Sequence, residues 1–415
     1  MKFYIETYGC TANKSDASII KGILKEKNHE IVDDVNKADS IILITCTVIG
    51  TTEQKMLSRM RVFKKIGKTT IVAGCMASIQ SDLIKEILPY AKLLPPQYSY
   101  QIIDVINNKS SFIEKDKTLF PKYYEEIIAP ISIAEGCLFS CSYCITSSAR
   151  GKLKSYPKEE IGQDICHALG QGCKEIQLTA QDTSSYGLDI RSNIGKLLNY
   201  VCKIKGDYKI RVGMMNPYNV MKHIDSIIEG YDDLKIYKFL HLPVQSGENN
   251  ILKKMNRKYT VEDFLEILEK FKEKYPNITI STDVIVGFPT ETDEQFNHTI
   301  DLLKNVKPDI TNITRFSARP YTEAKSMKGR IKTEIVKQRS KILTDLCIDI
   351  SKKNNIGHIG KKYNILITEF GKNKTYIGRT DFYKPVVIKE KVKIGDFVRV
   401  KIIDASPTHL VGSII

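Results

Sequence analysis

The chain has no apolar run long enough to cross a membrane and no leader of the secretory type. Its stretch SIILITCTVIG, at residues 40–50, is far shorter than a bilayer span requires. The first residues, MKFYIETYGC, lack a basic segment followed by an apolar one. We therefore expect a cytoplasmic protein without a membrane partner. Because the cytosol keeps thiols reduced, the ten cysteines are expected to be free thiols or metal ligands and not a disulfide scaffold.

Negative charge is scarce in the C-terminal quarter of the chain. Residues 315–415 contain 22 lysines and arginines against 9 acidic residues, which is +13 of the net charge of +15. A solvated surface helix would explain the charge but not its single sign. A nearly neutral body with a basic end predicts that this end docks a polyanion, and we favour nucleic acid.

Internal repeats are also absent, and three segments of different pattern follow one another. Residues 1–128 begin with three apolar strand candidates separated by helical stretches, which predicts a small doubly wound parallel sheet with helices on both faces. Residues 129–353 contain six strand–helix units, which predict a partial or complete (βα) barrel ending in a basic helix at 331–354. Residues 354–415 contain five short strands, typical of a small antiparallel β-barrel. The fold class is therefore α/β with a C-terminal β-barrel.

Cys137, Cys141 and Cys144 form a C-x3-C-x2-C motif directly after a predicted strand. Three thiolates at this spacing can bind three irons of a [4Fe–4S] cube and leave the fourth iron open. The amino and carboxylate groups of S-adenosylmethionine (SAM) can chelate an open iron, which is the basis of radical SAM chemistry. A zinc site would need a fourth ligand nearby, and none occurs before Cys166 and His167. We therefore interpret the motif as a cluster site.

A second group of cysteines has no compact spacing: Cys10, Cys46 and Cys75. Each ends one of the three predicted parallel strands, and such strands finish at a common edge where open α/β sheets bind ligands. The three thiols are candidates for a second cluster with one open iron, and three buried core cysteines are the alternative. The other four are interpreted as core or surface residues: Cys166, Cys173, Cys202 and Cys347.

Further motifs occur in a fixed order: SIAEGCLFSCSYCITSSARGKLKSYP, LTAQDTSSYG, HLPVQSG, NRKYT, STDVIVGFPTET and RFSARPYTEA. With these motifs the whole chain resembles the radical SAM methylthiotransferases. The N-terminal segment resembles their auxiliary-cluster domain. The C-terminal GRTDFYKPVVIKEKVKIGDFVRVKIIDASPTHLVGSI resembles their RNA-binding TRAM domain. ITSSARGKLKSYP and LTAQDTSSYG are most similar to the archaeal and eukaryotic branch of the family.

The resemblance implies an enzyme that adds a methylthio group to C2 of N6-threonylcarbamoyladenosine at position 37 of tRNA. It implies two [4Fe–4S] clusters and SAM as cofactors, an electron donor such as ferredoxin or flavodoxin, and a sulfur donor. We expect a monomer. Tyr143 would pack on the adenine of SAM, and Gly287 would let the backbone approach the adenosine. The resemblance and the position at strand ends assign cofactor binding to Tyr143, Gln181, Asp182, Asn216, Gln245, Asp283 and Gly287.

Basic residues near two C-terminal strands are expected to contact tRNA phosphates: Lys384, Lys389, Lys391, Lys393, Arg399 and Lys401. Phe382 and Tyr383 are candidates for stacking on unpaired bases, and filling the core of the small barrel is the alternative. Arg150 and Arg319 are candidates for pairing with a carboxylate or phosphate, or for a structural ion pair.

Three other functions compete with this interpretation. Methylthiotransferases of the same architecture act on N6-isopentenyladenosine in tRNA or on a ribosomal protein. Cobalamin-dependent radical SAM methylases usually carry D-x-H-x-x-G, and none of the seven histidines has an aspartate two residues before it. A non-catalytic iron–sulfur sensor that binds RNA would explain the clusters and the basic end, but not the motifs of the SAM site.

Overall fold

The computed structural model describes residues 1–48, 50–109 and 111–415. Its N-terminal domain is a five-stranded sheet in the order β2-β1-β3-β4-β5, in which every pairing is parallel. The strands β1 to β5 are Lys2–Thr7, Glu30–Val32, Ser40–Thr45, Thr69–Gly74 and Lys92–Leu94. The helices α1 to α5 are Thr11–Glu26, Gly50–Ile66, Cys75–Ile79, Ser81–Ile87 and Ile102–Ile106. The doubly wound parallel sheet is confirmed.

The central strand of this sheet is buried on both faces. Ile42 and Ile44 of β3 belong to a core that includes α1 and α5. Ile41 and Leu43 point to the opposite core, which includes α2 and α4. Successive side chains of a strand alternate between faces, so a continuous apolar run is what a strand covered by helices on both sides requires.

The central domain is a partial barrel of six parallel strands. Two three-stranded sheets, β6-β9-β10 and β11-β12-β13, meet at an isolated bridge between Ile210 and Ile236. The strands β6 to β13 are Ile128–Ser132, Ala134–Glu135, Lys154–Ser155, Glu175–Thr179, Lys209–Val212, Phe239–His241, Thr279–Val286 and Ile310–Arg315. The short strands β7 and β8 form a hairpin beside the barrel. The six predicted barrel strands are all present.

Helices alternate with the barrel strands as the sequence predicts. Two begin with a capping box, in which a threonine hydroxyl accepts from a backbone N–H three residues on, at Thr260 and Thr292. The predicted basic helix spans Thr333–Ile356 and packs on β13 through Leu343 and Cys347. The helices α6 to α14 are Thr146–Arg150, Lys158–Gly170, Ile194–Val201, Pro217–Lys222, Ile224–Gly230, Asn249–Lys254, Val261–Lys274, Asp293–Val306 and Thr333–Ile356.

The C-terminal domain is a closed five-stranded barrel in the order β14-β15-β16-β18-β17. The strands β14 to β18 are Lys362–Phe370, Tyr376–Thr380, Pro385–Ile388, Phe397–Ala405 and Leu410–Ile414. Four pairings are antiparallel as predicted, and one differs, because β16 and β18 run parallel with Val386 opposite Leu410. Across the described residues, no helix is both long and apolar enough to cross a membrane.

Candidate active site

The cysteine loop lies between the hairpin strands β7 and β8, just beyond the C-terminal end of β6. Its backbone is tightly placed, because a side chain at Gly136 would meet the Lys152 carbonyl at 2.0 Å. The Phe139 N–H donates to Cys137 Sγ at 3.4 Å, and the Thr146 N–H donates to Cys144 Sγ at 3.4 Å. Backbone donors of this kind stabilise thiolates over thiols.

Arg257 supplies the donor for the remaining cysteine of the loop. Its Nη1 lies 3.2 Å from Cys141 Sγ, and its guanidinium stacks on Tyr259. Burial raises the pKa of Cys137 to about 12 and also raises the pKa of Cys144, with smaller contributions from neighbouring thiols. These thiols lose their protons only against a compensating positive charge, such as iron supplies. Partly buried thiols with N–H and guanidinium donors fit an iron–sulfur cluster.

The three N-terminal cysteines lie where the strands β1, β3 and β4 end. Cys10 is the N-cap of α1, Cys46 follows β3, and Cys75 begins α3. Asn13 joins these strand ends, since its Nδ2 donates to the Tyr8 carbonyl at 2.7 Å and to the Thr45 carbonyl at 2.9 Å. The three loops therefore meet at one edge of the sheet, as the sequence predicts.

The thiols at this edge also influence one another. Burial raises the pKa of Cys75 to about 12, and Cys10 and Cys46 add to the shift while Arg150 opposes it. Burial is likewise the main cause of the raised pKa of Cys46. Across the described residues, no three Cys, His, Asp or Glu side chains converge as ligands of one ion. The thiolates of a cubane each bind a different iron, so a cluster does not require that convergence.

Arg150 connects the two cysteine groups and forms a structural ion pair. Its Nη2 donates at 2.7 Å to both Asp16 Oδ2 and Asn13 Oδ1 on α1, and its Nη1 donates at 2.7 Å to Glu135 Oε1 on β7. Lys117 closes a ring by bridging the other oxygens of Asp16 and Glu135. The four charged side chains are buried and balance to zero.

Arg319 forms a second buried ion pair between the same two domains. It follows β13 and donates to Glu53 on α2 and, at 3.3 Å, to the Thr47 hydroxyl next to Cys46. Gln80, just after α3, donates to Glu53 at 2.7 Å and accepts from the Thr47 hydroxyl. Both arginines therefore hold the cysteine-bearing edge of the N-terminal sheet against the barrel.

Four of the predicted cofactor residues lie on or after barrel strands or in the cysteine loop: Gln181, Gln245, Asp283 and Tyr143. Gln181 has a buried side-chain oxygen without a partner among the described residues, as a ligand-binding group would. Asp283 contacts His241 Nε2 at 2.9 Å and accepts from Asn312 Nδ2 at 2.7 Å. Burial would raise the pKa of Asp283, but these partners hold it below its ordinary value. Gln245 pairs with β12 through its backbone, and Tyr143 packs on the apolar group of Ile251, Met255, Phe288 and Ala324.

The other three residues make contacts within the protein. Asp182 accepts from the backbone and hydroxyl of Ser184, from the Asn216 N–H at 2.9 Å and from Asn219 Nδ2 at 3.2 Å, so its oxygens are occupied by the protein. Asn216 caps α9. Gly287 has a φ of +78°, and a side chain there would meet Val336 of α14 at 2.5 Å, so helix packing accounts for the glycine.

Five of the six residues predicted to contact RNA are exposed on the C-terminal barrel: Lys389, Lys391, Lys393, Arg399 and Lys401. Lys384 is the exception. It is 6% exposed, and its Nζ donates to Asp309 at 2.7 Å and to Asn355 at 2.9 Å. The expectation of a phosphate contact by Lys384 is therefore wrong, because the ammonium is neutralised inside the protein.

Tyr383 also departs from expectation. Its ring leaves the small barrel and packs on Tyr237 and Phe239 at centroid distances of 4.8 and 5.1 Å. Its hydroxyl donates to Glu175 Oε1 at 2.9 Å, at the N-terminal ends of the central strands. The prediction that Tyr383 stacks on RNA bases is therefore wrong. Phe382 packs edge-on against Tyr363, with 5.5 Å between the ring centroids.

Two residues with a possible functional role were not predicted from the sequence, Arg257 and Phe370. Arg257 lies within the motif NRKYT, but only its contact with Cys141 distinguishes it from a surface arginine. Phe370 is 71% exposed at the end of β14, next to a hairpin that carries the exposed Lys372 and Lys374. An exposed aromatic flanked by lysines is typical of a surface that binds unpaired nucleic acid.

Comparisons with known proteins agree with this architecture. Three family models match: Uncharacterized protein family UPF0004 at residues 2–94, Radical SAM superfamily at 131–303 and TRAM domain at 358–415. Among solved structures, the radical S-adenosylmethionine methyltransferase TsrM from Kitasatospora setae superimposes with a TM-score of 0.59 at 11% identity, covering 78% of this chain and 73% of that one. The fold and the cysteine loop define a radical SAM enzyme.

Similar proteins show to which family of radical SAM enzymes the chain belongs. The probable threonylcarbamoyladenosine tRNA methylthiotransferase of Archaeoglobus fulgidus is 42% identical over 100% of this chain and 99% of its own length. The protein of the same name from Pyrococcus horikoshii is 40% identical over both whole chains. The tRNA-2-methylthio-N(6)-dimethylallyladenosine synthase of Aquifex aeolicus is 35% identical over 100% and 98%. The chain belongs to the radical SAM methylthiotransferase family.

Proposed function

We propose that this enzyme adds a methylthio group to C2 of N6-threonylcarbamoyladenosine at position 37 of tRNA. The observation that carries the proposal is the position of Arg150, which follows the cysteine loop 137–144 and donates to Glu135 before that loop and to Asp16 of α1, the helix that Cys10 caps. Five relatives aligned over essentially their whole length, at 38–42% identity, carry the corresponding name. The reaction needs one centre for the radical and one for sulfur, and this arrangement provides two thiol triads.

The cofactors are assigned to residues as follows. Cys137, Cys141 and Cys144 hold one [4Fe–4S] cluster, and a second is held by Cys10, Cys46 and Cys75. When bound, the clusters and SAM supply the radical that activates the C2–H bond and the sulfur and methyl groups that are transferred.

The chain's own residues hold and surround these groups. Arg257 places a positive charge and a hydrogen-bond donor against Cys141 Sγ. Gln181 and Asp283 orient SAM at the C-terminal ends of the barrel strands, where barrel enzymes place functional groups. Arg150 and Arg319 fix the N-terminal sheet edge over the barrel, so that both centres act on one base.

The surface of the C-terminal barrel supports tRNA as the macromolecular partner. Its exposed lysines and Arg399 bind tRNA phosphates, and Phe370 stacks on an unpaired base. A ferredoxin or flavodoxin supplies electrons, a sulfur donor reloads the N-terminal centre, and the chain acts as a cytoplasmic monomer.

The dimethylallyl-modified adenosine is the second candidate substrate, because the Aquifex aeolicus relative is named for it. The deciding experiment incubates anaerobically reconstituted enzyme, SAM and reductant with anticodon stem–loops that carry either modification. Mass spectrometry of the digested nucleosides should detect the methylthio product from the threonylcarbamoyl RNA. Product from the dimethylallyl RNA alone would contradict the proposed substrate. Formation of 5′-deoxyadenosine separates an enzyme from an iron–sulfur sensor.

A further inference from the structure

A cavity of about 610 Å³ lies between the lower half of the central barrel, helix α14 and the C-terminal barrel. It extends from Thr279, the first residue of β12, to His241 and Asn312. The latter two both contact Asp283, one of the proposed SAM-binding residues. The cavity is therefore adjacent to the place where SAM and the target base would meet, and its volume is in the usual range for a small-molecule site.

Arg211 is the unusual residue of this cavity. Its guanidinium lies 5.1 Å from the Phe239 ring and 5.3 Å from the Tyr383 ring, so aromatic side chains cover its faces. Within the described part of the chain, the Arg211 side chain makes no hydrogen bond or ion pair, and its buried Nε has no partner. The edge of a guanidinium carries five N–H donors in a fork that matches a carboxylate.

The other lysine and arginine that line the cavity are paired. Lys384 donates to Asp309 at 2.7 Å, and Arg379 donates to Glu369 at 3.2 Å. Thr279 is 1% exposed, yet its hydroxyl has no partner among the described residues. A buried donor without a partner is costly, and an unpaired guanidinium more so. Among the described residues, the cavity thus presents one unpaired cation, Arg211, and two buried hydroxyls without a partner, those of Thr279 and Thr311.

We infer that this cavity binds the substituent on N6 of the target adenosine and that this substituent carries a carboxylate. The Arg211 guanidinium donates two hydrogen bonds to the carboxylate, and the Thr279 hydroxyl forms a hydrogen bond with a polar atom of the same substituent. The inference rests on the proposed function and identifies the residues that select its substrate. A dimethylallyl group would leave both polar groups unpaired, and a site built for hydrogen bonds rejects a ligand that cannot form them.

The test measures kcat and KM on the threonylcarbamoyl and dimethylallyl stem–loops. Arg211→Gln should lower kcat/KM for the threonylcarbamoyl RNA by about 10- to 100-fold, and the isosteric Thr279→Val by about 2- to 10-fold. Arg211→Lys keeps the charge but loses the fork, and should fall between wild type and Arg211→Gln. RNA-independent cleavage of SAM reports correct folding of each variant and should not change. Arg61→Gln, on the exposed side of α2, is the matched control.

A second readout does not depend on turnover. Isothermal titration of the isolated protein with threonylcarbamoyladenosine nucleoside should give binding that Arg211→Gln weakens by at least about tenfold, with plain adenosine as the reference ligand. The inference would be wrong if the wild-type enzyme converts the threonylcarbamoyl RNA and both Arg211 variants and Thr279→Val have the wild-type kcat/KM. That result would leave the proposed function intact. Wild type that does not convert this RNA would overturn the proposed function itself.

Discussion

Arg150 and Asp16 join at 2.7 Å, and each lies six residues after a cysteine that is proposed to hold a cluster, Cys144 and Cys10 respectively. The pair therefore links the two cysteine groups through short stretches of helix. Because the ring with Lys117 and Glu135 balances two positive and two negative charges, removing one member leaves an uncompensated charge in the interior.

Arg150→Gln is expected to lower the free energy of unfolding by about 3–5 kcal/mol, the usual cost of breaking a buried ion pair. Denaturant unfolding measures the change. Methylthio product should also fall further than 5′-deoxyadenosine, because the two cysteine groups lose their fixed separation. Lys270→Gln is the control, since it breaks only the exposed pair with Glu266 and should leave the free energy of unfolding nearly unchanged. Equal loss in both variants would contradict a special role for the ring.

Replacing Cys137, Cys141 and Cys144 by Ala should remove about half of the iron and all cleavage of SAM. Replacing Cys10, Cys46 and Cys75 should remove the other half but leave 5′-deoxyadenosine formation, without methylthio product. Iron analysis of anaerobically reconstituted protein tests both. The exposed Cys166→Ala is the control. Full iron content in either triple variant would exclude that triad as a cluster site.

Arg257→Gln should make the radical cluster harder to reduce. Removing a positive charge and a hydrogen-bond donor beside Cys141 Sγ disfavours the added electron, so the reduction potential should become more negative. An anaerobic redox titration followed by electron paramagnetic resonance measures the shift. Arg191→Gln, at an exposed position, is the comparison. An unchanged potential would show that Arg257 acts on packing against Tyr259 alone.

Phe370→Ala should weaken tRNA binding by about 1–3 kcal/mol, with little effect on SAM cleavage. Lys372→Gln and Lys374→Gln should each reduce the slope of log affinity against log salt by about 0.7 to 0.9. Fluorescence anisotropy at several salt concentrations separates the two effects. Tyr90→Ala removes an aromatic ring that is 96% exposed on the N-terminal domain, and it should leave binding unchanged.

Lys384→Gln should behave differently from the neighbouring lysines. The variant breaks the buried pair with Asp309, so the free energy of unfolding should fall by about 3–5 kcal/mol while the salt slope of tRNA binding stays constant. Lys389→Gln should reduce the salt slope of tRNA binding and leave the free energy of unfolding nearly unchanged, because Lys389 is exposed. A reduced salt slope in Lys384→Gln would return this residue to the RNA surface.

Much of this architecture was predictable because its signals are local. The strands β1, β3 and β4 are apolar runs that end in Cys10, Cys46 and Cys75, and a parallel sheet brings its strand ends together. The strands β2 and β5 were missed, since three residues each are too few to show a period. Lys384 was misassigned because a lysine that pairs with Asp309 in another domain has the same local sequence as a solvated one. The pairing of Arg150 with Asp16 joins residues 134 positions apart, and no short-range pattern encodes it.

Tyr383 has a left-handed φ of +65°, a conformation that turns its ring out of the small barrel and into the base of the large one. A bulky residue in this conformation is strained, and its contacts with Tyr237, Phe239 and Glu175 hold it there. These contacts join the C-terminal barrel to the central barrel. If tRNA phosphates bind to the surface of the small barrel as proposed, they lie at a fixed distance from the central barrel, and only a nucleotide at the matching distance along the RNA loop would reach the site.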